Sequence, residues 1–354
     1  KKKKKLAMTR NQLEAPFNLG PVILTPYVMG EAAYWEQGLQ QQQIDRLYGS
    51  AGLRGSIMAE RIFPDVYNPY FNLNGLAHKM VLEADYSFSD ASENLSGIAQ
   101  YNEFDDNAQE MFRERLVINT FGGVLPPQFD PRFYAVRTGA GRGVTDPYYE
   151  LVDDQQVLRM AWRHRLQTKT GPPDRMRTKD WMTLDLEASY FPDADRDNFG
   201  EDFGLLGGHY QWFLGDRTTL AANAYYDVFD GAQQLWDVSL TSQRTNRLSV
   251  NVALQQIKGG ADLDSQILSA GLNYVMSQKW SAGISTAYDL GENVNRGQIL
   301  SLTRTGADFI TSLGMSYNQS TGNAGIGLTI MPRFGNFGGG PADLSSILGK
   351  TASK

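Results

Sequence analysis

Hydrophobic and polar residues alternate with a period of two along many segments of the chain. Residues 79–89 show the pattern clearly: Leu82 and Tyr86 fall on one face of an extended chain, and Glu83 and Asp85 fall on the other. The same alternation recurs at residues 182–190, 220–228, 248–254, 268–276, 280–288 and 324–330. A period of two over such lengths predicts β-strands that are covered on one face only.

Less regular segments add further strand candidates, and few segments look helical. They are residues 21–35, 47–63, 156–168, 203–214, 234–241, 298–304 and 307–317. The total is about fourteen strands, each near the 9 to 11 residues that cross a bilayer when tilted. A membrane barrel requires such uniform strands, because every backbone polar group must be paired inside lipid and no edge may stay open. The sequence therefore predicts an all-β fold, an antiparallel transmembrane β-barrel of the outer membrane.

The lengths of the connections favour the same architecture. Short links at residues 215–217, 277–279 and 305–306 alternate with longer ones at residues 258–265 and 291–297. Outer-membrane barrels alternate short periplasmic turns with longer external loops. The order predicts that the last strand ends on the periplasmic side.

Composition explains why no single membrane segment stands out. Hydrophobic residues make up 41% of the 354 residues, mean hydropathy is -0.39, and charged residues stop at 20%. A barrel shows lipid only every second residue, so intermediate averages are expected. The net charge of -6 argues against a nucleic-acid partner. The absence of cysteine excludes disulfides, thiolate metal sites and a cysteine nucleophile.

The strand pattern also predicts a domain organisation. Residues 1–16 are expected to form an N-terminal tail, residues 17–334 the barrel, and residues 335–354 a flexible C-terminal tail. Residues 90–154 show little alternation and are too long for an ordinary turn. A connection of this length in a compact fold usually has a function, so we expect a loop or plug inserted in the barrel.

Charged residues on the polar faces of predicted strands are candidates for the lining of a lumen. A lumen with charges of both signs suits a route for amphiphiles with anionic headgroups, although any water-filled barrel is expected to be charged inside. The candidates are Arg159, Arg163, Arg165, Asp185, Glu187, Asp227 and Asp237.

Three prolines are candidates for a weak seam in the barrel wall. Pro21 and Pro26 fall in the first strand candidate, and Pro332 falls near the end of the last. Proline cannot donate to a strand ladder, so neighbouring strands that carry it would be held by fewer hydrogen bonds and could part sideways. Prolines at strand tips are an equally good explanation.

The three histidines give no pattern for catalysis or metal binding. His78, His164 and His209 lie on different predicted strands without metal-ligand spacing, so we expect three separate polar residues, no metal and no cofactor. A barrel hydrolase would need one of them beside a serine or aspartate on a neighbouring strand. The sequence is expected to belong to a protein that is not an enzyme.

Four segments together resemble the C-terminal barrel of the LPS-assembly protein family LptD, the organic solvent tolerance proteins. They are LNGLAHKM (residues 73–80), PPQFDPRFYAVRTGAGRG (residues 126–143), DDQQVLRMAWRHRLQTKTGPP (residues 153–173) and WMTLDLEASYFPDADRDNFGEDFG (residues 181–204). The family barrel is larger than fourteen strands and carries a signal peptide, a periplasmic jelly-roll domain and, in many members, cysteines. The resemblance therefore implies a fragment from the later part of such a barrel.

The resemblance implies a function and partners. It implies an integral protein of the bacterial outer membrane that takes lipopolysaccharide from periplasmic bridge proteins and guides it into the outer leaflet. The route would run through the lumen and a lateral opening, with an LptE-like lipoprotein as plug and outer-membrane lipid around the wall. Two alternatives stay open: a general porin or solute channel, and an outer-membrane barrel hydrolase.

Overall fold

The protein folds as one antiparallel β-sheet of sixteen strands, as seen in a computed structural model. The structure describes residues 6–36, 42–93, 154–229, 234–258 and 264–333. The strands are β1 Leu6–Glu14, β2 Phe17–Leu19, β3 Val22–Trp35, β4 Ile44–Asn68, β5 Leu73–Ala91, β6 Gln155–Thr170, β7 Arg177–Tyr190, β8 Leu206–Leu214, β9 Thr218–Tyr226, β10 Gln234–Ser242, β11 Leu248–Lys258, β12 Asp264–Val275, β13 Trp280–Asp289, β14 Val294–Thr305, β15 Phe309–Asn318 and β16 Asn323–Pro332. A short helix, α1 Ala194–Asp197, follows β7.

Each strand pairs with its neighbours in chain order, except that β2 is a short piece paired only with β3, so β1 lies directly beside β3. The all-β antiparallel prediction is confirmed, and all fourteen predicted strands are present as β3 to β16. Within the described ranges no pairing joins β1 to β16, so closure of the sheet into a barrel stays a prediction.

The predicted strand count is too low because the chain enters the sheet earlier than expected. Residues 1–16 were expected to form a tail, but Leu6–Glu14 form β1. Packing explains the difference, since Met8 lies against a buried cluster of Ala33, Trp35 and Ile44 near the ends of β3 and β4. The sheet therefore gains an outer strand beside β3.

The two faces of the sheet differ in chemistry. Residues paired across antiparallel strands point to the same side. One row joins Leu272, Ile284, Leu300 and Met315 across β12 to β15, and all four side chains are exposed large hydrophobics. We call this side the apolar face. The opposite side, which carries for example Ser301 next to Leu300, is the polar face.

Connections at the two ends of the strands define two rims. The short-turn rim carries the links at residues 69–72, 171–176, 215–217, 243–247, 276–279 and 306–308. The opposite, long-loop rim carries the links after β3, β5, β7, β9, β11, β13 and β15. The predicted short links at residues 215–217, 277–279 and 305–306 correspond to the observed links at residues 215–217, 276–279 and 306–308. The predicted long link at residues 291–297 is wrong, because β14 begins at Val294 and the loop is only residues 290–293.

Aromatic residues mark both rims of the apolar face. Trp280 and Tyr288 lie eight positions apart at the two ends of β13, and Phe309 and Tyr317 have the same spacing on β15. At the short-turn rim Trp212 packs against Phe71 and Trp181, with ring centroids 5.8 Å and 5.6 Å away. The apolar face is thus bounded by two aromatic borders.

The insertion predicted at residues 90–154 lies almost entirely outside the described residues, which end at 93 and resume at 154. The predicted C-terminal tail of residues 335–354 lies outside them as well. In the described ranges, no helix combines the length and the hydropathy needed to cross a membrane.

Candidate functional site: the polar face of the sheet

Many of the charged residues of β1 to β7 and β10 collect in four clusters on the polar face. The first joins β1, β3 and β4, where Glu31 lies between Arg10 and Arg46. The Nε atoms of Arg10 and Arg46 donate to the Glu31 carboxylate at 2.9 Å and 3.1 Å. The Glu31 side chain is fully buried, and the Arg46 guanidinium lies over the Trp35 ring at 5.0 Å. Two arginines thus share one carboxylate near the long-loop rim.

The second cluster joins β1, β3, β4 and β5 around Arg54. Its guanidinium contacts Glu14 at 2.7 Å and Asp85 at 3.6 Å, and it stacks over the Tyr27 ring at 4.1 Å. The Tyr27 hydroxyl donates to Asp85 at 3.2 Å. The Tyr27 ring lies across Gly52, where only a residue without Cβ leaves room for it.

The third cluster is centred on Arg163 of β6. Its guanidinium contacts Glu83 at 3.1 Å, Asp185 at 3.7 Å and Glu187 at 2.9 Å. Arg165 adds a bidentate pair to Asp185, at 2.8 Å and 2.9 Å. Three carboxylates therefore surround two arginines on β5, β6 and β7, which leaves the cluster with one net negative charge.

The fourth cluster is a hydrogen-bonded chain on β8, β9 and β10. His209 Nδ1 lies 3.0 Å from the Asn223 side-chain oxygen, and the Asn223 amide donates to both oxygens of Asp237 at 3.1 Å and 3.2 Å. The Tyr225 hydroxyl lies 3.3 Å from His209 Nε2. Each polar group here is held by its neighbour.

Strand register makes the third and fourth clusters one ladder. Arg163 pairs with Asp185, Asp185 with His209, His209 with Asn223, and Asn223 with Asp237. The ladder therefore crosses five neighbouring strands, β6 to β10, in a single row. Because side chains in one row are fixed by the backbone ladder, their charges hold defined positions.

The polar face of β11 to β16 is different in character. Small neutral residues dominate it, such as Ser269, Ser285, Ser301 and Ser312. Within the described part of these strands, charge on that face is confined to the long-loop rim, where Asp289 pairs with Arg296. The polar face thus has a charged half and a neutral half.

Asp289 organises the loop between β13 and β14. Its Oδ1 accepts hydrogen bonds from the backbone N–H groups of Gly291 and Glu292 at 3.0 Å and 3.1 Å, and Arg296 contacts Oδ2 at 2.9 Å. The Glu292 N–H first, and then Arg296, hold the pKa of the Asp289 carboxyl below its usual range.

Most of the predicted lumen residues lie together on the polar face. Arg163, Arg165, Asp185, Glu187 and Asp237 belong to the ladder or border it.

Arg159 lies on the same face and donates to Ser87 at 3.1 Å and to Gln155 at 3.0 Å. Asp227 differs, because it follows the last residue of β9 and its buried carboxylate accepts from the Phe229 N–H at 3.0 Å. We therefore assign Asp227 to the loop and not to the ladder.

Several charged partners were missed by the sequence reasoning. Glu31, Arg46, Arg54 and Asp85 complete the first two clusters, and Glu83 completes the third. Within β5, Glu83 and Asp85 occupy the alternate positions that face the polar side, so their placement could be predicted from the sequence. The other three required the register of β1, β3 and β4.

The prolines do not gather at one edge of the sheet. Pro21 lies in the turn before β3, and Pro26 lies inside β3, which is flanked by β1 and β4. The Pro26 carbonyl also accepts a hydrogen bond from the Ala15 N–H at 3.1 Å. The prediction that these two prolines mark an edge is wrong, because β1 lies outside β3. Pro332 ends β16, an end strand of the sheet, and its place at a seam stays a prediction.

The structure brings two of the three histidines together, which the sequence did not predict. His78 Nε2 and His164 Nδ1 are 3.0 Å apart on β5 and β6. In the described ranges no group of three or more histidine, aspartate or glutamate side chains could hold a metal ion. Among the same residues no serine hydroxyl is hydrogen-bonded to a histidine, so nothing specific favours the hydrolase hypothesis, which stays untested.

Comparison with known proteins gives little guidance. No family model matches the chain, and no curated protein matches it. Solved structures that match include one described as "Asymmetric conductivity of engineered proteins" and a mutant of the Rh. blastica porin, each at 11% identity, and a triple mutant of the Rhodopseudomonas blastica porin at 10% identity. Each match covers 92% of this chain and 98% of the other, with a TM-score of 0.32. That score is too low to carry a fold or a function over to this chain.

Proposed function

We propose that the chain forms the wall of an outer-membrane β-barrel whose polar face lines a water-filled lumen, and that this lumen conducts polar solutes. The main observation behind this proposal is that the two faces of the sheet differ in chemistry. An apolar face bordered by aromatic residues at both rims lies on the reverse of a face that holds ion pairs and hydroxyl groups. Two such faces match the wall of a membrane barrel, which has lipid on one side and water on the other.

The height of the apolar face supports the proposal. Eight residues separate Trp280 from Tyr288 and Phe309 from Tyr317. At about 3.3 Å per residue this spans roughly 26 Å along the strand, and a tilt of 35 to 45° reduces it to roughly 20 Å. The value is close to the apolar band of about 25 Å between the aromatic girdles of outer-membrane barrels.

The state of the charges favours a steady channel over a path for anionic headgroups. A headgroup path needs arginines that can exchange partners, whereas Arg163 contacts three carboxylates and Arg165 holds Asp185 with two hydrogen bonds. The cluster is left with one negative charge, and Asp237 adds another along the same row. A lumen lined in this way should conduct ions with a weak preference for cations.

Reconstitution in a planar bilayer tests the proposal. We expect a steady conductance. Under a potassium chloride gradient, the reversal potential should have the sign of a cation-selective pore. A chain that is soluble without detergent, gives no heat-modifiable gel mobility and conducts no ions would contradict both the barrel and the channel.

Transport of lipopolysaccharide is the second candidate, and two observations favour it. The segments that resemble the LPS-assembly family include β5 to β7, which carry the Arg163 cluster. The end strands β1 and β16 have no partner strand on one side within the described ranges, as a lateral opening would require. An LptE-like plug and periplasmic LPS bridge proteins would then be partners.

Crosslinking separates the two candidates. Photo-reactive amino acids at positions 159, 185 and 237 should capture lipopolysaccharide in living cells if the lumen carries that lipid. Capture at none of the three positions, together with steady conductance in the bilayer, would leave the solute channel as the function.

A further inference from the structure

Three basic side chains lie close together on the apolar face, on the neighbouring strands β4, β5 and β6. Arg61 on β4 is directly opposite His78 on β5, and His78 is directly opposite Leu166 on β6. His164, two positions before Leu166, is opposite Met80 and has the same parity. We call Arg61, His78 and His164 the basic strip.

The three side chains are organised by neighbours that carry no negative charge. His78 Nε2 and His164 Nδ1 are 3.0 Å apart, and the two rings stack at 5.3 Å with an 18° interplanar angle. The Trp162 ring lies 4.4 Å from the His164 ring, and the Arg61 guanidinium lies 5.0 Å over the Phe63 ring. In the part of the chain that the structure describes, no carboxylate forms an ion pair with the strip.

The strip lies at the depth where lipid headgroups are expected. His78 is eight residues from Tyr86 on β5, toward the short-turn rim. The same spacing separates the aromatic borders on β13 and β15. If Tyr86 marks the border at the long-loop rim, His78 marks the opposite membrane interface.

A cation at the depth of the lipid headgroups is attracted to anionic lipids. The two histidines use one nitrogen each in their mutual hydrogen bond, which leaves His78 Nδ1 and His164 Nε2 for other partners. The Arg61 guanidinium offers a planar fork of donors that matches phosphate oxygens. An aromatic ring on each side, Phe63 and Trp162, provides apolar surface for the lipid beside its headgroup.

We propose that the basic strip binds the phosphate headgroup of an anionic phospholipid in the leaflet at the short-turn rim. The proposal rests on the proposed membrane barrel, which places the apolar face in lipid. The lipid would be held from outside the wall, on the face away from the ladder of Arg163.

Fluorescence quenching of Trp162 by brominated lipid tests this directly. The full chain is reconstituted in phosphatidylcholine vesicles that contain a small fraction of brominated phosphatidylglycerol or, in parallel, of brominated phosphatidylcholine. The contribution of Trp162 among the six tryptophans is the difference between the parent chain and Trp162→Phe. We expect the quenching of Trp162 by brominated phosphatidylglycerol to correspond to a roughly fivefold enrichment of that lipid near the site. One basic residue near an anionic lipid surface produces an enrichment of about this size.

Three variants complete the experiment. Arg61→Gln should remove the preference for phosphatidylglycerol, and Arg61→Lys should keep part of it because the charge remains. Lys258→Gln is the matched control, since Lys258 lies on the same face at the opposite rim. It should leave the quenching of Trp162 unchanged.

The outcomes separate the site from the barrel. Equal quenching of Trp162 by the two brominated lipids would overturn the headgroup site while leaving the chain in the membrane. A preference for phosphatidylglycerol that survives Arg61→Gln and the double variant His78→Gln/His164→Gln would overturn the site as well. Quenching by neither lipid would show that the apolar face is not in lipid, which contradicts the proposed barrel.

Discussion

Replacing Arg163 with glutamine should destabilise the sheet and change the charge of the lumen at the same time. The guanidinium contacts Glu83, Asp185 and Glu187 at 3.1, 3.7 and 2.9 Å, and all these side chains are partly exposed. Ion pairs of this kind contribute about 0.2–1 kcal/mol each, so Arg163→Gln should lower the free energy of unfolding by about 1–3 kcal/mol. The three carboxylates would then keep only Arg165 as a counter-charge.

Arg165→Gln is the matched control, because Arg165 lies two positions away on the same strand and face. It loses one carboxylate partner, Asp185, so its cost should be about 0.5–1 kcal/mol. Urea unfolding in lipid vesicles, followed by tryptophan fluorescence, measures both variants. The difference between them should shrink in 1 M salt, where the Debye length falls to about 3 Å.

Ion selectivity gives an independent readout of the same variant. Arg163→Gln changes the cluster from one net negative charge to two, so the preference of the channel for cations should increase. Equal stabilities for the two variants at low salt would refute the ion pairs assigned to Arg163. An unchanged reversal potential in a conducting channel would refute the assignment of this cluster to the lumen.

Further predictions concern single positions. Gly52→Ala should cost about 1–3 kcal/mol, since the new Cβ would lie 2.5 Å from the Tyr27 ring and 2.6 Å from the Tyr86 carbonyl oxygen; Gly49→Ala, with open space around it, is the control in the same unfolding assay. Ile284→Arg on the apolar face should cost about 2–4 kcal/mol in vesicles, whereas Ser285→Arg on the polar face should fold normally, as gel mobility before and after heating would show. The lowered pKa of Asp289 means that its carboxylate stabilises the β13–β14 loop fully above the ordinary aspartate pKa. This stabilisation is lost as the pH falls through the lowered pKa, so the amide-exchange protection of residues 290–297 should drop over that pH range. The variant Asp289→Asn should show no such drop.

The strands were predictable because side-chain parity is a local property. Alternation located β5, β7, β9, β11, β12, β13 and β16 from residues such as Leu82 and Leu184, which repeat every second position, and the other seven predicted strands were less regular. β1 escaped the same search. Its polar-face residues include both Met8 and Arg10, and its other face carries both Thr9 and Leu13, so neither face is uniformly apolar.

The candidate site was predictable only in part because clusters depend on strand register. Parity placed Arg163 and Asp185 on the polar face, but their pairing with His209 and Asn223 follows from strands far apart in sequence. The basic strip was missed for a related reason. His78 and His164 share the parity of apolar residues, which was visible, but their contact requires the register of β5 and β6.

A membrane barrel requires the polar face of the sheet to meet water and the apolar face to meet lipid. Because the chain has no cysteine, single cysteines can be placed on a clean background. Spin labels at alternate positions of β13 and β14 in vesicles test this directly. Ser285→Cys and Ser301→Cys should be accessible to a water-soluble nickel relaxant, and Ile284→Cys and Leu300→Cys to molecular oxygen in the lipid. Alternation in the opposite phase, or equal accessibility of all four labels to the nickel complex, would contradict the account.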